Sequence, residues 1–423
     1  MGNDQNFSFA TPAEKESYTR RAGLLPEPVS LESYRSEDFY QLERERVFGR
    51  SWLTLAREEE LPKPGDYLVR DIEVLGASVI VARGRDGKIR SFHNVCSHRA
   101  NQVAWERSGN ATRLMCRYHN WTYNTDGRLI GVPDEASFER LDKAKCGLTP
   151  IATEVWEGFI FVNLECNPSV GLEEFLGGMG EFLKGIQYKY ADNPITIEAH
   201  LDCNWKVACD AFSEAYHIPA IHANTIGKTF SSQDNKFAHI LGANFFGPHR
   251  SVALYGNPDY VPGEEAHVER LAYSAVDAAN VVAAGSREEM ADYLAHPAVN
   301  HPKAREWVHD VHAIFPNLHI DTGQGGFYTH HFWPTSVNTT RYEVRFYMAH
   351  AQDARARFQQ EAYLARVMEV LLEDLSNVKR TQRGIDSGGK DYMVLQENEV
   401  MIRHSVHHVE RWARALTVQE ALA

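Results

Sequence analysis

The stretch CSHRANQVAWERSGNATRLMCRYH, residues 96–119, sets Cys96 and His98 in a Cys-x-His step and Cys116 and His119 in a Cys-x-x-His step. Two thiols and two imidazoles in a segment the size of one hairpin indicate a metal site. Both donor types suit zinc or an iron–sulfur cluster. Zinc sites commonly group like ligands, whereas here each short loop supplies one Cys and one His. That pairing favours a [2Fe–2S] cluster in which one iron takes both thiolates and the other both imidazoles. Neutral imidazoles raise the reduction potential, so such a cluster acts as an electron relay. A zinc clip in a β-domain is the alternative.

The sequence around this stretch reads as strands. YLVRDIEVLGASVIVARGRDGKIRSFHNVC alternates, is rich in Val and Ile, and is broken by the turn-like GRDGK; EVWEGFIFVNLE adds a further strand near residue 165. Ahead of it, residues 30–60 carry a helix-like pattern with acidic residues early. Beyond residue 165 the texture is mixed. GLEEFLGGMGEFLKGI and NWKVACDAFSEAYHI suggest helices, NLHIDTGQGGFYTHHFW and TTRYEVRFYMAHA suggest strands, and a long helix is expected over 355–385. Residues 225–310, with scattered Gly, Pro and His, read as irregular, active-site-like loops.

A second constellation lies in NWKVACDAFSEAYHIPAIH. On an α-helix Asp210, Glu214 and His217 fall at i, i+4 and i+7 and share a face. His222 would point elsewhere on an unbroken helix, but Pro219 disfavours helix at Ile218, and a break there can swing His222 back towards His217. Two His and one carboxylate form the facial triad of mononuclear non-haem iron oxygenases, with positions left open for O2. The missing carboxylate must come from elsewhere, and Asp374 in VLLEDLSNVKRTQRG is the best candidate.

The segments FHNVCSHRA, CRYHNWTYNTDGRL and EVWEGFIFVNL, with Asn-Trp-Lys, Glu-x-x-His-x4-His and a late Glu-Asp pair, resemble the α subunits of the Rieske non-haem iron (aromatic-ring-hydroxylating) oxygenases. Ala100 and Asn120 depart from that pattern, standing where the family usually has Gly. The resemblance implies an α+β chain. A small all-β Rieske domain spans 46–165, and 1–45 with 166–423 form a catalytic domain whose antiparallel sheet is flanked by helices, in a helix-grip or START-like arrangement. It implies that Cys96, His98, Cys116 and His119 hold the [2Fe–2S] cluster. It implies that His217, His222 and Asp374 hold a mononuclear Fe(II), Glu373 being the alternative if the register shifts by one. Glu214 falls at the acid that links this iron's histidine to a Rieske histidine of a neighbouring subunit, and Asp210 at a position near the site or the substrate.

Composition excludes several functions. Lys+Arg total 44 against 57 Asp+Glu, for a net charge of -13, which argues against a nucleic-acid or anionic-membrane partner. No run approaches the roughly 20 apolar residues of a membrane helix, and the polar N-terminal stretch lacks a signal-peptide core. Six cysteines in so long a chain do not suggest a disulfide framework, so the cytoplasm is the expected compartment. Cys203 and Cys209 read as buried small apolar groups, and the His pairs 330–331 and 407–408 as packing or surface residues. GIDSGGKD at 384–391 has Asp where a phosphate loop needs Ser or Thr, and no dinucleotide fingerprint is present. Electrons must therefore come from NAD(P)H through a separate reductase, with or without a ferredoxin.

The expected activity is a terminal oxygenase, working as a homotrimer or an α3β3 assembly, that hydroxylates or dihydroxylates an aromatic or alicyclic small molecule. Asp210, Ala211, Ile218 and Val370, one turn from the ligands, are the expected pocket residues, and their largely apolar character motivates that substrate class. Oxidative N- or O-demethylation, for instance of an N-methyl or quaternary-ammonium compound, is the alternative suggested by Glu rather than Asp at position 214. A plain electron carrier or a zinc-stabilised binding module would have no use for the second motif.

Overall fold

The computed structural model describes residues 17–186, 194–264, 267, 270, 287–323, 326–348, 350–351 and 353–423. The N-terminal stretch read as polar and the middle of the 225–310 region lie outside these residues. The chain divides into two compact units. One holds Gln41–Phe175 with Trp412–Leu422; the other holds the described residues up to Tyr40, Leu176–Arg411 and Ala423. The expected boundary at 46–165 thus falls a few residues inside the observed one, and the C-terminal Trp412–Leu422 segment joins the first unit.

The first unit is built from short antiparallel strands. β1 (Leu53–Arg57), β2 (Asp66–Ile72), β3 (Ala77–Arg83), β4 (Ile89–His93) and β5 (Ser108–Asn110) are followed by β6 (Arg113–Met115), β7 (Thr122–Asn124) and β8 (Leu129–Gly131), then β9 (Pro150–Trp156) and β10 (Phe159–Asn163). They form a seven-stranded sheet in the order β1-β10-β9-β4-β3-β2-β5 and a separate three-stranded sheet β6-β7-β8. The turn expected at GRDGK joins β3 to β4, with Gly87 at φ 78°, a conformation glycine adopts without steric penalty. Ile80, Phe92, Val103, Leu114, Trp121 and Tyr123 pack with Cys96 and Cys116 into one core. The helix expected over 30–60 is a broken run, Glu32–Tyr34, Glu37–Leu42 and the π-helical Glu43–Phe48, and it gives way to β1.

The second unit centres on a seven-stranded, wholly antiparallel sheet. β11 (Ile195–Leu201), β12 (Gly242–Phe246), β13 (His249–Tyr255), β14 (Trp307–Ile314), β15 (Leu318–Gly323), β16 (Gly326–Ser336) and β17 (Thr339–Tyr347) run in the order β11-β17-β16-β15-β14-β13-β12. Two of these strands, β12 and β13, correct the expectation of irregular loops across 225–310. All seven residues of β13 are buried, polar His249, Arg250 and Ser251 among them, so no period-two polarity marks the strand. Helix α1 (Trp205–Ala211), capped by the Asn204 side chain, packs on β16 and β17. The short α2 (Ile218–Ile221) follows, and the expected long helix is α3 (Ala354–Asp386), 33 residues with Asp353 as its N-cap. The helix expected from GLEEFLGGMGEFLKGI spans Leu172–Leu183 with a break at Gly177, φ 47°.

Candidate metal centres

The two loops that carry the Cys/His stretch are built alike. In the first, the Cys96 amide donates to Asn101 O at 2.8 Å and the Ala100 amide to Cys96 O at 2.9 Å; in the second, the Cys116 amide donates to Trp121 O and the Asn120 amide to Cys116 O, both at 2.9 Å. Each loop closes through a left-handed residue, Ala100 at φ 58° and Asn120 at φ 57°. These are the two positions where glycine was missing. Geometry requires the left-handed conformation at both, and the chain adopts it without glycine.

The loops bring four donors to one place. The His98 and His119 rings meet edge to face with centroids 4.5 Å apart, and Trp121 stacks on His98 at 5.0 Å. Both Nδ1 atoms are buried and, among the described residues, have no hydrogen-bond partner. Buried polar atoms are nearly always satisfied, so two orphaned imidazole nitrogens side by side call for a ligand. The Tyr123 hydroxyl lies 3.3 Å from Cys96 Sγ and accepts from the Ser97 amide at 3.0 Å, while the Asn101 amide reaches Cys116 Sγ at 3.7 Å. Burial pushes the Cys96 thiol up; Cys116 is buried too, yet the Tyr118 amide and the Asn101 side chain hold it below the usual thiol range. Two thiols, two free Nδ1 atoms and donors aimed at sulfur fit a [2Fe–2S] cluster with two Cys and two His ligands.

The second site is drawn from three places in the chain. Among the described residues, His217, His222 and Asp374 form the one trio whose donor atoms all lie within 4.8 Å of one another. Asp374 Oδ1 sits 3.3 Å from His217 Nε2 and 3.0 Å from His222 Nε2. Two donors at about 2.1 Å from one ion and at right angles would stand about 3.0 Å apart, so the trio fits a single divalent ion. The far ring nitrogens are also held. His217 Nδ1 contacts the Glu214 carboxylate, and His222 Nδ1–H donates to Glu373 Oε2 at 2.6 Å, to which Thr225 Oγ1 donates at 2.6 Å. Each imidazole thus presents Nε2 to the centre and anchors Nδ1 on an acid, the usual support for a metal-bound histidine. Burial lowers His217, but the carboxylates of Asp374 and Glu214 outweigh it and raise the ring to about 10. Three carboxylates around two imidazoles favour a cation.

Three readings of this region change. The helix carrying Asp210 stops at Ala211, so Asp210, Glu214 and His217 do not share one helical face; His217 comes into place through the turns at 212–217. The break also precedes Pro219, which sits in the first turn of α2, where a missing N–H costs nothing. Glu373 is no rival for the third donor position, because it faces His222 from behind.

A cavity of about 560 Å³ opens beside His217 and Asp374, lined in part by Tyr34, Asp210, Ala211 and Glu214. Asp210 and Ala211 therefore line a space at the site. Ile218 is packed instead into the apolar core with Ala215, Ile240 and Met401, and Val370 is half-buried on α3 away from this cavity. Tyr34 O–H donates to Asp210 Oδ2 at 2.6 Å, and burial raises Asp210 to about 7. Cys203 and Cys209 are buried, as expected, and burial pushes both up to about 12.

Sequence reasoning passed over one cluster. Asp321 on β15 takes His309 Nε2 at 3.3 Å and His330 Nε2 at 3.4 Å. His330, set aside as packing or surface, is thereby part of a buried charged network. Alternation could not reveal it, since every residue of β15 is buried.

The catalytic domain of the ring-hydroxylating alpha subunits matches residues 188–415, and the Rieske [2Fe-2S] domain matches residues 51–148. The chain belongs to the ring-hydroxylating alpha-subunit family. Its members' two cofactor modules, a Rieske [2Fe–2S] domain and the catalytic domain of mononuclear iron oxygenases, are both present. Among curated relatives, the carnitine monooxygenase oxygenase subunit of Acinetobacter baumannii is 33% identical over 215 residues, covering 50% of this chain and 56% of that one. The chlorobenzene dioxygenase alpha subunit of Cupriavidus sp. (strain PS12) is 38% identical over 191 residues, 44% of this chain and 42% of that one. The chain spans about half the length of the curated relatives it matches. The structure of naphthalene 1,2-dioxygenase from Rhodococcus sp. bound to indole superposes with a TM-score of 0.70 at 23% identity, over 90% of this chain and 94% of that chain, a likeness of fold.

Proposed function

We propose that this ring-hydroxylating alpha-subunit chain is a terminal oxygenase that hydroxylates or dihydroxylates an aromatic or alicyclic small molecule with O2 and electrons from a separate reductase, with or without a ferredoxin. The observation that carries the reading is the His217–His222–Asp374 trio, with both Nδ1 atoms backed by acids. When bound, the cluster supplies single electrons and the mononuclear iron supplies sites for O2 activation. His217, His222 and Asp374 serve as the iron ligands, and Cys96, His98, Cys116 and His119 as the cluster ligands. Glu373 and Thr225 fix the His222 tautomer. Glu214 holds the His217 ring while lining the cavity, which suits it to hand an electron inward from a Rieske histidine of a neighbouring subunit in a homotrimer or α3β3 assembly. Oxidative demethylation of an N-methyl or quaternary-ammonium compound is the second reading, favoured by the 33% identity to a carnitine monooxygenase subunit. No helix among the described residues is long and apolar enough to cross a membrane, and the cytoplasm is the proposed compartment.

Glu214→Gln tests the assignment. The variant should keep its iron and its visible cluster bands while turnover with a surrogate reductase falls about tenfold to a hundredfold or more. Unchanged turnover, or lost iron, sinks the role given to Glu214. Product analysis on arenes, aromatic acids and N-methyl amines separates ring oxidation from demethylation.

A further inference from the structure

The two Cys/His loops are closed by residues of different chemistry. The Asn101 carbonyl accepts from the Cys96 amide at 2.8 Å in the first loop, and the Trp121 carbonyl from the Cys116 amide at 2.9 Å in the second. The side chain of each closing residue then crosses to the other loop. Trp121 stacks on His98, with ring centroids 5.0 Å apart and planes 8° apart. Asn101 goes the opposite way, and its Nδ2 lies 3.7 Å from Cys116 Sγ. One contact lays a ring on an imidazole; the other aims an N–H at a sulfur.

Neighbours fix which end of the Asn101 amide meets that sulfur. Nδ2 donates to Gln102 O at 2.9 Å, a carbonyl that also accepts from Trp105 Nε1 at 3.0 Å. A carbonyl can only accept, so the nitrogen of the amide, not its oxygen, stands there. A primary amide has two N–H bonds. One serves Gln102, and the second is left for Cys116 Sγ.

The other thiol is met differently. Tyr123, wholly buried, accepts from the Ser97 amide at 3.0 Å, which leaves its own O–H to donate to Cys96 Sγ at 3.3 Å. Each sulfur thus has a side-chain donor of its own, a phenol on Cys96 and a carboxamide on Cys116. Cys116 is 2% exposed and Cys96 3%, so water reaches neither freely and donors from the chain count for more.

Reduction of an iron–sulfur cluster adds one electron and makes its thiolates richer in charge. A hydrogen bond to a thiolate therefore favours the reduced state over the oxidised one and raises the potential. We propose that Asn101 is a positioning residue for the electron relay, whose Nδ2–H, bonded to Cys116 Sγ across the two loops, raises the reduction potential of the cluster. The electron comes from the separate reductase, and Asn101 keeps its proton throughout. This tuning rests on the [2Fe–2S] reading of the four donors, not on what the chain oxidises.

The test is a redox titration of the cluster-loaded protein, followed by its visible bands, with no substrate present. Asn101→Leu keeps the side-chain volume and loses the N–H. It should hold the cluster yet lower the equilibrium constant for one-electron reduction about tenfold, a fall of about 59 mV in the midpoint. Asn101→Ala, smaller but equally without a donor, should fall by the same amount, and Tyr123→Phe should shift the midpoint in the same direction. A side chain that only braced its loop would lose bands without moving the midpoint of the cluster that remains. An unmoved midpoint in an Asn101 variant with full bands removes the tuning alone; wild-type protein without [2Fe–2S] bands removes the cluster reading with it. If neither Asn101 variant holds a cluster, pulsed electron paramagnetic resonance of the reduced wild type decides. With isotopically labelled nitrogen in the asparagine side chains only, a weak coupling to the cluster should appear, and its absence overturns the role.

Discussion

The two metal centres are assembled in opposite ways. The four donors proposed for the cluster come from two similar loops within residues 96–119, each closed by its own backbone hydrogen bonds and seated in one core. The trio proposed to hold the iron joins the two histidines that cap the short helix α2 to an aspartate on α3 more than 150 residues later. A local site is fixed by its own loops; a long-range site exists only when two elements pack in the right register. The acids behind the imidazoles, Glu214 and Glu373, fix the ring orientations that packing alone leaves free.

The sharpest way to break that comparison is to remove one donor from each centre. Asp374→Ala should lower iron from about three to about two per chain, keep the visible cluster bands and abolish turnover. Cys116→Ser should bleach those bands and also loosen its domain, because Cys116 is 2% exposed within the core. Iron assay and absorption spectra decide it. Loss of the cluster in Asp374→Ala would show that the two centres are not separable.

That contrast also explains what was legible. Cys96 to His119 announced a cluster because the spacing is local and the donor types are rare. The face shared by Asp210, Glu214 and His217 was misread, since helical periodicity assumed a helix that ends at Ala211. Asp374, which the fold brings beside His217 and His222, was suggested by resemblance and the lack of any nearer acid, not by spacing. Strand β13 and the Asp321 cluster stayed hidden because both lie in strands buried on each side, where polar residues break the pattern that reveals a strand. Chemistry held by tertiary packing leaves little trace in local sequence.

Asp210 gives a second probe of the long-range site, smaller in effect. Burial raises its carboxyl to about 7, against the pull of Tyr34, Arg250 and Lys206. In the unfolded chain it titrates near 3.9. The folded state thus binds the proton more tightly, and the stability present below about pH 4 is lost as pH rises through 7. In the metal-free protein the loss between pH 4 and 8 amounts to about 4 kcal/mol at most. Asp210→Asn should flatten that slope, as read from urea midpoints at pH 5 and pH 8. An unchanged slope would assign the titration to another group.

The smallest effect sharpens the comparison within the cluster site itself, between its two loops. Ala100 and Asn120 hold nearly the same backbone angle, φ 58° and 57°, and make the same hydrogen bond back to a cysteine carbonyl at 2.9 Å. Their side chains differ in what that angle costs. A left-handed residue with a Cβ is penalised by roughly 1–2 kcal/mol, and Asn suffers less than Ala. Glycine removes the penalty, while its greater freedom in the unfolded chain takes back about 0.4–1 kcal/mol. Ala100→Gly should therefore stabilise the domain by about 0.5–1 kcal/mol, and Asn120→Gly should be close to neutral. The denaturant midpoint for loss of the visible cluster bands reads both. If the two variants shift it equally, side-chain strain is not what distinguishes the loops, and the core behind Cys96 and Cys116 sets their stability alone.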